Sequence, residues 1–200
     1  MSDALGTPQY RGIDLNERFL PNVLEHLDEW TRRHSRASAE WAEWIGRELG
    51  LGDGDIRVLR IAALLHASGR LGVPADEYDI CRLTEAEEAL LRRSPAVLGR
   101  LVPDEELGRV IDAIAACREH LDGSGRPRGL ESDSIPLLVR IVAVACAFQT
   151  LTMRRPDASP LTREVACARL AEEAGSLYDP GVVDALAQVV NRFEREPGGG

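Results

Sequence analysis

The fold is decided by EHLDGSGRPRGL (119–130) and the run that follows it, ESDSIPLLVRIVAVACAFQTLTMRRP (131–156). Asp122, Gly123, Ser124, Gly125, Arg126 and Pro127 spell a turn whose glycines take up backbone angles that other residues resist. Ile135-Pro136 then opens a long helix with Leu137, Ile141, Val144, Phe148 and Leu151 in line. Pro156 and Pro160 end it. A Gly-rich loop feeding a buried helix is the feature from which the rest is read.

Outward from that stretch the chain keeps helical spacing. Phe19, Val23, Leu24, Leu27 and Trp30 predict one helix. Ala37, Trp41, Trp44, Ile45 and Leu49 predict a second, about 33–49, stopped at Gly50. Asp53 or Asp55 is expected to cap a third, apolar nearly all round through Leu65. Residues 70–82 read as a loop, Thr84 with Glu87 as a capping box, and Ser94-Pro95 as the start of a short helix. Further helices are expected over 104–120 and 162–175, and from Asp179-Pro180 to Phe193. No stretch alternates as a strand does, and no internal repeat is present. The expected fold is all-α, a compact multi-helix bundle with no sheet: a loose lead-in over 1–17, one domain over 18–193 and a frayed tail over 194–200.

With 200 residues and 44% hydrophobic composition the chain suits one globular domain. Its net charge of −9 excludes a general nucleic-acid surface, which needs an excess of lysine and arginine. No apolar run reaches the length of a membrane span, and no basic segment followed by an apolar one opens the chain, so a cytoplasmic location is expected. The four cysteines, Cys81, Cys117, Cys146 and Cys167, form no CxxC pair. Free thiols or ligands are expected rather than a disulfide framework.

LLHASGRLGVP (64–74) and DGSGRPRGL (122–130), supported by HSRASAEWAEWIGRELGL (34–51) and the 83–95 segment, resemble an HD-GYP domain. This is the branch of the HD phosphohydrolase superfamily that hydrolyses cyclic di-GMP. The resemblance runs over roughly 30–193. It implies an all-helical bundle with a binuclear or trinuclear metal centre that activates water for attack on a phosphodiester.

Carried over position by position, the resemblance finds the first ligand histidine as His34. The His-Asp pair reads His66-Ala67, and the lysine three residues beyond the pair reads Arg70. The His-Pro step reads Ser94-Pro95. The His-His pair before the loop reads Cys117-Arg118, with Glu119 following as in the family. The signature tyrosine reads Arg126, and the aspartate on the long helix reads Cys146. Ala67, Ser94 and Arg118 are thus lost ligand positions, and Arg118 brings a positive charge to where a cation would sit. On this count the expectation is a catalytically inactive module for signalling, protein interaction or nucleotide sensing, working through a protein partner or a homodimer. The alternative is a metal-dependent phosphohydrolase with a reduced, single-metal site.

His34, His66, Cys117 and Cys146 together make a Cys₂His₂ complement, which suits one zinc. Against that stands the reading preferred from sequence: no cofactor, with cysteines filling space once metal is gone. A Cys117–Cys146 disulfide is a third option. Arg126, Arg128 and Arg140 are candidate phosphate contacts, with a cyclic dinucleotide as the ligand the resemblance implies. His120 reads as a surface or capping histidine. Arg154 with Arg155 reads as charge compensation at a helix C-terminus.

Overall fold

A computed structural model describes residues 27–67, 104–154 and 158–195. The expected helices before residue 27 and within 84–101 lie outside the described residues, as do Arg70, Cys81, Ser94 and Arg155. Six α-helices are described: α1 (Glu29–Glu48), α2 (Asp53–Leu65), α3 (Asp104–Ala116), α4 (Leu137–Thr152), α5 (Arg163–Glu172) and α6 (Pro180–Arg195). Among the described residues only isolated bridges interrupt the helical pattern, and no strand forms. The all-α expectation holds.

The helix ends follow capping chemistry. Asp28 caps α1, its Oδ1 accepting the Thr31 N–H at 2.9 Å. Trp30 therefore opens α1 instead of closing an earlier helix. Gly50, at φ 75°, turns the chain after α1. At α2 neither aspartate caps: Gly52 is the N-cap, and Asp53 and Asp55 lie in the first turn, where the helix dipole favours their charge. Thr162 caps α5 through the Val165 N–H. Asp179 accepts the Val182 N–H at 3.1 Å at the start of α6.

Helix α4 is the centre of the bundle and packs against each of the other five. It is apolar almost all round, and Val139, Ile141, Val142, Val144, Ala145 and Phe148 are buried. Each such large side chain contributes roughly 1.5–3 kcal/mol of burial. Trp41 stacks edge-on against Phe148 at 4.6 Å and against Trp44 at 4.9 Å, so both tryptophans serve packing. Gly46 lets α2 approach α1: a Cβ there would stand 2.7 Å from a Leu59 methyl and 2.8 Å from one of Ile56.

Helix α3 ends at Ala116, four residues short of the expected 120, because the chain turns there into a hairpin-like loop. Arg118 pairs with Arg126, and Asp122 with Glu131, in antiparallel bridges. The loop is tied to the chain before α6 by Asp122 N–H to Ser176 at 2.9 Å and Leu121 N–H to Leu177 at 3.3 Å.

Candidate functional site

Three elements bring one ligand group together. His34 lies on the buried side of α1, His66 is the residue that ends α2, and Cys146 sits on central α4. One ligand atom from each lies within 4.8 Å of the others. The His34 and His66 Nε2 atoms are 3.2 Å apart. Two nitrogens bound tetrahedrally to one zinc at about 2.0–2.1 Å stand about 3.3 Å apart, so the imidazole pair fits a shared ion without rearrangement. A zinc-bound nitrogen and sulfur stand about 3.6 Å apart, within a small side-chain rotation of the group's span.

Neighbouring contacts orient the imidazoles. His66 Nδ1 faces the Ala63 carbonyl at 2.6 Å, which requires the proton on Nδ1 and leaves Nε2 as the acceptor. The His34 ring is stacked under Trp30 at 5.0 Å and 7°. Trp30 is fixed in turn by donating Nε1–H to the Arg154 carbonyl at 3.0 Å. Burial pushes the Cys146 thiol well above its ordinary pKa, and nearby Cys117 adds to this. The Ser38 hydroxyl and the Arg118 guanidinium pull the other way.

Cys117 does not join the group. Its thiol donates to the Ile114 carbonyl at 3.2 Å, because residue 117 leaves α3 just as the chain turns. Among the described residues the expected four-ligand set is therefore a group of three. Closed structural zinc sites use four protein ligands, whereas catalytic ones use three and keep the fourth position for water or substrate. Neither Cys117 nor Cys146 is in a disulfide. Ala67, 3% exposed, lines the same space with a methyl that cannot ligate.

The group opens on a cavity of about 400 Å³ whose walls include Trp30, Arg118, His120, Arg126, Arg169 and Tyr178. Of the three expected phosphate contacts only Arg126 reaches it. Arg128 is exposed and lies outside the cavity lining. Arg140 is committed elsewhere: Nε donates to Ile135 O at 2.7 Å, Nη2 to Ser132 O at 2.8 Å, and Nη1 to Asp179 at 2.8 Å. Burial opposes ionisation of Asp179. The Arg140 bond and the Val182 N–H outweigh it and hold that carboxyl below its usual range.

The loop presents its residues through two internal devices. Glu119, 2% exposed, accepts the Arg128 N–H at 2.7 Å and the Leu130 N–H at 2.8 Å, one on each carboxylate oxygen. Gly125 passes so close to the preceding segment that a Cβ would stand 2.3 Å from His120 N and 2.6 Å from Arg118 O. His120, expected at the surface, lines the cavity instead. Its Nδ1 meets Ser124 Oγ at 2.9 Å, and its ring lies edge-on to Tyr178 at 6.3 Å. Glu119 was matched as a family position, whereas Trp30, Arg169 and Tyr178 were not legible as site residues from their types. Trp30 alone carried a signal, standing four residues before His34 on the same helix face.

A family model described as an HD domain matches residues 14–182. The chain belongs to the HD domain family. It is 34% identical over 171 residues to a cyclic di-GMP phosphodiesterase response regulator, RpfG, of Xanthomonas campestris pv. campestris, covering 84% of this chain and 45% of that protein. It is 33% identical over 179 residues to 3'3'-cGAMP-specific phosphodiesterase 3 of Vibrio cholerae, covering 87% of this chain and 38% of that protein. The chain thus spans less than half the length of either relative. Among solved structures, a cyclic GMP-AMP specific phosphodiesterase of V. cholerae superposes with a TM-score of 0.66 at 22% identity, over 88% of this chain and 48% of that one. The HD-GYP resemblance read from 64–74 and 122–130 is borne out, and so is the helical HD fold.

Proposed function

We propose that this HD domain is a cyclic-dinucleotide phosphodiesterase module reduced to a single divalent metal, held by His34, His66 and Cys146. The observation that carries the reading is the convergence of those three ligand atoms within 4.8 Å, beside a cavity with arginines in its wall. The relatives' names point the same way and favour this alternative over the inactive module expected from the substitutions. Bound there, a divalent ion supplies an acidified water and polarises a phosphoryl oxygen. Trp30 and the Ala63 carbonyl hold the two imidazoles in register, and the cationic wall orients the phosphodiester. His120, bridged to Ser124, is the imidazole of the cavity that stands outside the metal group, among the described residues.

A second reading is a metal-free sensing or protein-interaction module, working through a partner or a second copy. One observation favours it. With the His66 proton on Nδ1, the 3.2 Å contact is a hydrogen bond donated by His34, so the two imidazoles are joined without a metal. Incubation with cyclic di-GMP and 3'3'-cGAMP, with zinc, manganese or iron(II) supplied, separates the two readings. Turnover lost in both His66→Ala and Cys146→Ala supports the enzyme. No turnover with any metal leaves the sensing module.

A further inference from the structure

The cavity wall is cationic in a chain whose net charge is −9. Among the described residues Arg118, Arg126 and Arg169 line it, against the single carboxylate of Glu173. Arg169 is paired with that carboxylate at 3.5 Å. Arg118 and Arg126 have no carboxylate partner among the described residues. Their placement makes this costly. Arg126 N–H donates to Arg118 O at 3.0 Å, and the two are opposite members of one antiparallel bridge. Directly opposed residues in such a bridge carry their Cβ atoms about 4.5–5.5 Å apart on one face, where like charges destabilise each other. Arg118 is also half-buried, so the residue has lost part of its hydration.

An anion seated between the two guanidiniums removes both penalties. Arginine's planar fork suits the paired non-bridging oxygens of a phosphodiester. Arg118 and Arg126 line the same cavity as His34, His66 and Cys146, which puts this seat beside the three-ligand group. We propose that Arg118 and Arg126 form a phosphate clamp that performs the charge neutralisation a second metal ion would otherwise supply. It rests on the reading of the cavity as a cyclic-dinucleotide site, and it makes ligand binding independent of metal.

The test is calorimetric titration of the EDTA-treated full chain with cyclic di-GMP. Wild-type protein is expected to bind without metal, and Arg118→Gln to bind at least tenfold more weakly. Arg126→Gln, at the exposed end of the clamp, is expected to lose several-fold. Arg118→Lys keeps the charge without the fork and should fall between wild type and Arg118→Gln; it also stands in should the glutamine variant fail to fold. Arg128→Gln, outside the cavity, should bind as wild type. The clamp is overturned if Arg118→Gln binds within twofold of wild type, or if wild-type protein binds only with zinc present or not at all. Arg118-dependent binding without turnover in any metal leaves the clamp standing and removes the single-metal enzyme, so the two failures are distinguishable.

Discussion

The Gly-rich loop and the three-ligand group stand side by side, yet they are built from different kinds of interaction. The loop is held by the backbone: bridges between Arg118 and Arg126 and between Asp122 and Glu131, two N–H groups on Glu119, and the bare Cα of Gly125. None of these needs a metal. The ligand atoms all come from side chains, on α1, the end of α2 and α4. A residue can be exchanged there without moving a helix, since the packing residues behind it are a separate set. The loop therefore keeps its family wording apart from Arg126, while Ala67 and Arg118 stand where ligands were expected beside it.

This contrast can be broken from the loop side first. Glu119→Ala strands two part-buried N–H groups at about 1–3 kcal/mol each and leaves a void where its buried side chain was, so a loss of about 4 kcal/mol is expected in urea unfolding. Gly125→Ala sets a methyl against backbone that cannot yield and should cost about 3 kcal/mol. On the ligand side the reverse is expected. His66→Ala should leave the unfolding midpoint of the metal-free protein within a few degrees of wild type while zinc affinity falls about 100-fold or more, read by competition with a chromophoric chelator. Equal loss of stability in both regions would end the distinction.

The smallest effect comes from the bond between α4 and α6. Arg140→Gln should cost about 2 kcal/mol at pH 7, because Asp179 loses its charged partner. The Asp179 pKa is lower in the folded chain than its ordinary 3.8, so the pair's stabilisation is fully present above that value. It is lost as pH falls through the lower folded value. Unfolding of wild type and Arg140→Gln at pH 7 and pH 3 should therefore show a gap that narrows in acid. A gap that widens would contradict the assignment.

The helical architecture was legible because apolar spacing reports burial, and burial is what makes α2 and α4 helical. Helix ends were less so: Gly52 caps α2 in place of the aspartates beside it, and α3 stops at Ala116 although its apolar pattern runs on. His34, His66 and Cys146 were found by matching positions, and they do meet. Cys117 was included on the same ground and falls outside the group, since its direction depends on where α3 unwinds. Arg140 looked like a phosphate ligand because residue type does not reveal prior commitments, here to Ile135, Ser132 and Asp179. Tyr178 and Arg169 come from distant segments joined only by the tertiary fold, and no local pattern announces them.

The account stands most directly on one measurement: zinc K-edge absorption of the protein loaded with one equivalent of zinc, compared with Cys146→Ser. A first shell with nitrogen at about 2.0 Å and one sulfur at about 2.3 Å, the sulfur lost in the variant, is the result expected of the His34–His66–Cys146 group. Zinc that fails to bind, or a shell of nitrogen and oxygen unchanged by the substitution, would contradict it.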